Sequence, residues 1–259
     1  MADAPLKFSG EVARLYHEYR RGYPAEAIDA IVEAFGLSPA DAVVDLGCGT
    51  GQLTLPLAAR VGAAVGVDPE RDMLDIARQH GAGNITWTLG SDRDLPAIAG
   101  TVRPRPLAAV TAATSLHWMD SAAVFDTARS LVRPGGGVAV VTNGKPLWFL
   151  DIEWSRALRA FLERWNGRPA KHGCGTDDEA QRRYWEHFVA AGFAVTDRHV
   201  RYADDLDFDR LVGAVLSAFP EHMLPAGDDR DRFRDQLREA VGDGPYPEPV
   251  DVGIMLGVR

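Results

Sequence analysis

A glycine-rich turn after the first apolar run constrains most strongly how this chain can fold. The stretch Val43–Gly51 reads VVDLGCGTG, in which an apolar run meets an acidic residue and then glycines at alternate positions. Glycine lacks a Cβ atom, so it permits a tight turn and lets a ligand lie against bare backbone. A helix that starts near Gly51 would place its N-terminal end beside that ligand. The sequence therefore predicts a strand, a ligand-binding turn and a helix in succession.

Short β-branched runs alternate with amphipathic stretches through the first two thirds of the chain. This alternation is typical of a parallel sheet covered by helices on both faces. The predicted strands are Ala42–Leu46, Ala64–Val67, Ile85–Leu89, Leu107–Ala112 and Val138–Thr142. The predicted helices are Ala25–Phe35, Gly51–Val61, Arg71–Gln79 and Ser121–Val132, the last with Asp120 as its N-cap.

The pattern loosens after Thr142. Thr176 and Glu179 form a capping-box pattern, which predicts a helix from Thr176 that ends at Gly192. Later elements are predicted as strands Phe193–Tyr202 and Val250–Val258, with helices Phe208–Phe219 and Asp229–Val241 between them. The segments 143–175 and 203–249 are interpreted as insertions, and residues 1–24 as an N-terminal cover, on a single domain spanning 1–259. Because ligand crevices lie at the carboxyl ends of parallel strands, we expect these segments to form a substrate lid.

Composition limits the classes of partner and site. A formal charge of −9 offers no general attraction for nucleic acid, which is bound largely through clustered Lys and Arg. No apolar run approaches the length of a membrane span or resembles a signal peptide, so we expect a cytoplasmic protein without a membrane partner. Cys48 and Cys174 stand far apart and form no metal-binding pattern, so no metal is expected. The sequence does not decide between monomer and homodimer.

The turn itself favours one cofactor class over another. Dinucleotide-binding turns use G-x-G-x-x-G spacing, whereas the glycines here follow G-x-G-x-G. A carboxylate at Asp45 would repel a pyrophosphate but would attract the ammonium and sulfonium of S-adenosylmethionine (SAM). The residues therefore favour SAM.

At this turn the sequence resembles the class I SAM-dependent methyltransferases, within the group that includes ubiquinone/menaquinone and trans-aconitate methyltransferases. The resemblance covers about Phe8 to Thr142 and returns weakly at the last two strands. It implies a Rossmann-like α/β fold with a seven-stranded, mostly parallel sheet and an antiparallel last strand. It also implies that a loop cradles the methionine part of SAM. The loop residues are Asp45, Gly47, Cys48, Gly49 and Gly51.

Four further segments match the family's motifs in the same order. The resemblance implies that Asp68, after the second strand, binds the ribose hydroxyls, and that Met73 packs on the adenine. It aligns Ser91 and Asp92 with the positions that meet the adenine edge, although the family's usual acid is replaced by Ser91. The TSLHWMD segment from Thr114 to Asp120 after the fourth strand also matches, with Thr114 as a further cofactor-binding residue. The N-terminal YRRGYP segment from Tyr19 to Pro24 matches as well.

Each site residue also has a simpler interpretation that the sequence leaves open. Asp68 could cap the following helix, and Ser91 with Asp92 could be ordinary N-cap chemistry. Met73 and Cys48 could be core residues. His117 is either a general base for the acceptor or a residue that shapes the pocket. Tyr19 and Tyr23 either line the acceptor pocket or pack the first helix.

The predicted function is metal-independent methyl transfer from SAM to an O, N or C atom of a small-molecule acceptor, with S-adenosylhomocysteine (SAH) as product. Three alternatives stay open from the residues alone. They are a nucleotide-cofactor oxidoreductase, a non-catalytic methyltransferase-like partner subunit, and a SAM-binding enzyme of natural-product metabolism that does not methylate.

Overall fold

The computed structural model describes residues 8–171 and 174–259, and a seven-stranded mixed sheet organises this part of the chain. The strands are β1 (Ala42–Leu46), β2 (Ala63–Asp68), β3 (Ile85–Leu89), β4 (Leu107–Ala113), β5 (Gly137–Asn143), β6 (Ala194–Leu206) and β7 (Tyr246–Val258). They lie in the order β3-β2-β1-β4-β5-β7-β6. The pairs among β1 to β5 are parallel, and β7 runs antiparallel to β5, with Gly137 opposite Val258. The predicted Rossmann-like sheet with an antiparallel last strand is confirmed.

Helices connect the strands. They are α1 (Gly10–Tyr19), α2 (Ala25–Phe35), α3 (Thr54–Ala58), α4 (Arg71–Gln79), α5 (Leu95–Thr101), α6 (Ser121–Leu131), α7 (Glu153–Asn166), α8 (Asp178–Ala190), α9 (Phe208–Leu216) and α10 (Asp228–Val241). The predicted cap of α6 is confirmed, because Asp120 Oδ1 accepts a hydrogen bond from Ala123 N at 3.2 Å. The predicted capping box at Thr176 is wrong. Asp177, one residue later, caps α8 by accepting from Ala180 N at 2.9 Å.

The chain forms two compact units. The sheet unit comprises Arg21–Gly144, Cys174–Arg201 and Asp251–Arg259, and the helical unit comprises the described residues of Met1–Arg20, Lys145–Gly173 and Tyr202–Val250. Residues 1–7 of the predicted cover and 172–173 of the first predicted insertion lie outside the described residues. The action of these segments as a substrate lid stays a prediction.

Each unit has its own apolar core. All five residues of β1 are buried in the sheet unit, where Phe125 of α6 stacks on Phe188 of α8 with ring centroids 3.8 Å apart. In the helical unit, Phe233 of α10 makes edge-to-face contacts with Phe161 and Trp165 of α7 at 5.1 and 5.0 Å. Aromatic pairs of this geometry add to the stabilisation from area burial. Among the described residues, no helix has the length and apolar character needed to cross a bilayer.

Candidate functional site

The glycine loop follows β1 directly and has an unusual backbone. Gly47, Gly49 and Gly51 have φ values of +65°, +55° and +92°, a region that residues with a Cβ atom rarely adopt. A Cβ atom at Gly47 would also lie 2.5 Å from Cβ of Ser115, the second residue after β4. The turn therefore requires glycine at all three positions, and the close approach of Ser115 requires it again at Gly47.

Three backbone N–H groups of the loop donate hydrogen bonds within the sheet unit. Cys48 N donates to Val67 O at 3.0 Å, and Gly51 N donates to Cys48 O at 2.9 Å. Gly49 N donates to Oδ2 of Asp68 at 2.8 Å. These bonds fix the loop against the end of β2, so the loop and Asp68 form one rigid arrangement.

Asp68 ends β2 and is 7% exposed. Its Oδ1 accepts from Glu70 N at 2.8 Å, and Glu70 rather than Asp68 is the N-cap residue of α4. Burial raises the pKa of Asp68 to about 6, against the opposing effect of the hydrogen bonds from Glu70 and Gly49. Since each carboxylate oxygen has two acceptor sites, both oxygens retain capacity for a further hydroxyl donor.

Asp45 is enclosed more completely than Asp68. Its Oδ1 accepts from Thr111 Oγ1 of β4 at 2.7 Å, and its Oδ2 accepts from Thr54 Oγ1 of α3 at 2.5 Å. Burial raises its pKa to about 6. The side chain ties β1, β4 and α3 together beneath the loop. Its direct contact with a cofactor stays a prediction.

The residues predicted near adenine have mixed surroundings. Met73 is 3% exposed and lies on the buried face of α4 with Leu74 and Ala77. Ser91 N donates to Asp94 Oδ2 at 2.8 Å, at the start of the 3₁₀ turn Asp92–Asp94. Ser91 therefore carries N-cap chemistry, and the adenine contacts of Met73, Ser91 and Asp92 stay predictions.

Cys48 is 6% exposed within the loop, and its Sγ lies 3.0 Å from the position of a Cβ atom at Gly66. Burial raises the pKa of the Cys48 thiol well above its usual value. Since the thiolate is the nucleophile, this cysteine packs rather than reacts.

The segment after β4 carries the second group of predicted residues. Thr114 has a φ of +52°, which is strained for a β-branched residue, and its N donates to Val141 O at 2.8 Å. Its Oγ1 lies 3.2 Å from the hydroxyl of Tyr23. Ser115 Oγ donates to Leu46 O at 2.6 Å. Strain of this kind persists only where the surroundings hold it, as these hydrogen bonds do here.

His117 lies in the 3₁₀ turn Leu116–Trp118, three residues beyond Thr114. Burial lowers its pKa to about 4. The imidazole is therefore neutral at physiological pH and weakly basic. Its ring centroid lies 4.7 Å from that of Trp118, which is 55% exposed.

The structure separates the two N-terminal tyrosines. Tyr23 belongs to the sheet unit, whereas Tyr19 belongs to the helical unit, where its ring lies against α9. A Cβ atom at Gly213 would be 2.2 Å from the Tyr19 ring. Tyr19 thus packs α1 on α9, and its place in an acceptor pocket stays a prediction.

Sequence reasoning missed two polar residues of this site. Asn143 ends β5, and its Nδ2 donates to Arg21 O and Gly22 O at 3.3 Å each. Gln52 follows the loop directly. The buried atoms Asn143 Oδ1 and Gln52 Nε2 have no hydrogen-bond partner among the described residues. The sequence signal available for them was a polar residue at a strand end and one beside a glycine turn. Whether their polar atoms have hydrogen-bond partners can be seen only in the structure.

Within the described residues, no group of three or more His, Cys, Asp or Glu side chains could hold a metal ion. The ionisable groups that the structure brings to the loop are the two carboxylates of Asp45 and Asp68. The arrangement therefore suits a ligand with cationic and hydroxyl groups.

Comparison with known proteins agrees with this geometry. A family model described as a methyltransferase domain matches residues 43–136, which hold the loop, Asp68 and His117. The chain is 33% identical over 169 residues to uncharacterized methyltransferase Rv3342 of Mycobacterium tuberculosis, covering 65% of this chain and 63% of that protein. The match thus spans less than two thirds of that relative's length. The chain is also 31% identical over 124 residues to a ubiquinone biosynthesis O-methyltransferase of Xylella fastidiosa, covering 46% of this chain and 48% of that protein.

A solved structure is similar over nearly the whole chain. It is a proposed type II methyltransferase from Anaeromyxobacter dehalogenans, with a TM-score of 0.56 and 21% identity. The similarity covers 93% of this chain and 98% of that one, and it concerns the fold.

Proposed function

We propose that this chain, which belongs to the class I SAM-dependent methyltransferases, transfers a methyl group from SAM to an O, N or C atom of a small-molecule acceptor. The observation that carries the proposal is the bond from Gly49 N to Asp68 Oδ2, which joins the glycine loop to the carboxylate after β2. This pairing sets bare backbone beside an acceptor suited to ribose hydroxyls.

The residues present fit SAM. Two buried carboxylates, Asp45 and Asp68, favour a ligand with positive charge over a pyrophosphate. Both oxygens of Asp68 can accept a further hydroxyl hydrogen bond. The left-handed glycines leave a surface without side chains, against which an extended ligand can lie.

Bound SAM supplies a methyl group on a sulfonium, which an acceptor atom displaces in line. The task of the protein is therefore mainly to align the acceptor and to exclude water. We assign alignment to Tyr23 and His117, because the contact of Tyr23 with Thr114 and the 3₁₀ turn hold these side chains at the end of β4. Thr114 itself is proposed to contact the cofactor. A neutral His117 with a pKa of about 4 suits pocket shaping or hydrogen bonding better than proton abstraction.

The acceptor class follows from charge. A formal charge of −9 disfavours nucleic acid, so we propose a small molecule. The N-terminal cover and the insertions 143–175 and 203–249 are proposed to select it. We further propose the ubiquinone/menaquinone and trans-aconitate group as the relevant subgroup, on the resemblance of the motifs.

Turnover and cofactor affinity should separate if this assignment is correct. We expect Tyr23→Phe and His117→Ala to reduce methyl transfer from labelled SAM at least about tenfold, because small misplacements of an acceptor are costly in rate. SAH affinity should change little in both. Tyr202→Phe and His80→Ala, at a half-exposed and an exposed position, serve as matched controls.

The acceptor is first found by screening small phenols, amines and carboxylic acids with the wild-type protein. If turnover and SAH affinity fall in step in both variants, the acceptor site lies elsewhere. Point substitutions are preferable to removing residues 1–23, because α1 is bound within the helical unit. Arg20 Nε donates to Ser217 Oγ at 2.8 Å, and Arg230 Nη1 pairs with Glu11 at 2.6 Å.

A further inference from the structure

Gln52 carries a hydrogen-bond donor that nothing in the described chain uses. The residue stands directly after Gly51, at the end of the glycine loop, and precedes α3. Its Nε2 atom is buried and has no hydrogen-bond partner among the described residues. Buried polar groups are nearly always paired, so an unpaired one calls for a partner that is not part of the chain.

Three backbone donors of the loop are already used within the chain. The backbone N–H groups of Cys48, Gly49 and Gly51 donate to Val67 O, Asp68 Oδ2 and Cys48 O. A ligand with an anionic group on this loop therefore needs donors besides these three. Gln52 Nε2 is such a donor, and it is adjacent in the chain.

The charges around the loop favour a neutral hydrogen-bond donor for the anionic group of the ligand. Asp45 and Asp68 are buried carboxylates that attract a cation but repel an anion. The amino-acid end of SAM and of SAH carries both an ammonium and a carboxylate. A neutral amide can stabilise that carboxylate without pairing with Asp45 or Asp68. An arginine or lysine at this position would instead form an ion pair with one of these carboxylates.

We propose that the Gln52 side-chain amide donates a hydrogen bond to the α-carboxylate of SAM and SAH. The inference rests on the proposed function, because it requires that the loop binds SAM. Gln52 is thereby assigned to cofactor recognition, as a residue that reads the amino-acid end of the ligand.

The test uses two ligands that differ only in the carboxylate. SAH and its decarboxylated form, S-adenosyl-3-thiopropylamine, are titrated calorimetrically into the wild-type protein, Gln52→Leu and Gln52→Glu. Gln79→Leu is the control, since Gln79 is an exposed glutamine whose Nε2 donates to Asp75 O at 3.2 Å. Thermal unfolding verifies that each variant is folded, and Gln52→Glu carries the test if Gln52→Leu does not fold.

We expect Gln52→Leu to bind SAH roughly 10- to 100-fold more weakly, the range for losing a hydrogen bond to a charged group. Affinity for the decarboxylated ligand should change less than about twofold, well below that range. Gln52→Glu should weaken SAH binding further, because two carboxylates would then face each other. Gln79→Leu should bind both ligands like the wild type.

Two results would overturn the inference while leaving the proposed function intact. One is an equal loss of affinity for both ligands in Gln52→Leu, which would indicate general damage to the loop. The other is unchanged SAH affinity, which would indicate that water satisfies the amide. If the wild-type protein binds neither ligand, the proposed function itself fails, and this inference fails with it.

Discussion

Gly49→Val is expected to abolish SAH binding while the protein stays folded. The position has a φ of +55°, and its N–H is bonded to Asp68 at 2.8 Å. A β-branched side chain at this φ would move the loop or project onto the surface proposed for the ligand. We expect affinity to fall at least about 100-fold, or about 2.7 kcal/mol, measured by calorimetric titration with SAH.

Gly36→Val is the matched control, since Gly36 has a φ of +54° and nothing lies within 4 Å of its Cβ position. Both variants should lose about 1–2 kcal/mol of stability from left-handed backbone, but only Gly49→Val should lose SAH. Circular dichroism and thermal unfolding report the stability. Unchanged affinity in Gly49→Val would mean that the loop is only structural.

Asp68→Ala is expected to weaken SAH binding by about 1.5–3 kcal/mol, or roughly 10- to 150-fold, the loss associated with hydrogen bonds to a charged group. The carboxylate accepts from both Gly49 N and Glu70 N, so its removal also loosens the loop. Asp41→Ala is the control. Asp41 is 4% exposed and pairs with Arg133 at 2.7 Å, so its loss should reduce stability without reducing affinity.

The pH dependence of SAH affinity shows whether binding depends on the negative charge of Asp68 or only on the size and shape of its side chain. Burial raises its pKa to about 6, and hydroxyl donors from a bound ribose would favour the ionised form. Binding therefore lowers this pKa, so SAH affinity should be full above pH 6 and decline as the pH falls below it. Asp68→Asn should show a flatter profile. The assignment of the ribose site is wrong if Asp68→Ala binds SAH like the wild type and the pH profiles of the wild type and Asp68→Asn coincide.

The strands could be predicted where a short run of apolar or β-branched residues stands between turns. β1 and β3 occur with the predicted boundaries, because each is a short apolar or β-branched run between turns. β7 begins at Tyr246, four residues before the predicted start at Val250. Proline is disfavoured inside strands, but Pro247 and Pro249 occupy exposed alternate positions of β7.

Some helices were hidden by local composition. α3 covers only Thr54–Ala58 of the predicted Gly51–Val61, because a turn at Gln52 and Leu53 separates the glycine loop from the helix. α7 was not predicted, although its sequence carries apolar residues at helical spacing, with Trp154, Leu158 and Phe161 on the buried face. What the sequence does not contain is the packing partner of this face, which is Phe233 of α10 in contact with Phe161 and Trp165.

Part of the candidate site could be recognised from the sequence, and part could not. The glycines and Asp68 form a motif within one stretch of chain, so their type and spacing could be recognised. The contacts of Thr114 with Tyr23 and of Asn143 with Arg21 join residues about 90 and 120 positions apart. Such pairs depend on which strands are neighbours, and spacing along the chain does not contain that information.

Titration of the wild-type protein with SAM, SAH and NAD tests the central claim most directly. The glycine spacing and the buried carboxylates at the loop predict that SAM and SAH each bind at one site per chain and that NAD does not bind. NAD binding without SAM or SAH binding would contradict the account, because the loop would then hold a dinucleotide. Absence of binding by SAM and SAH would contradict it equally.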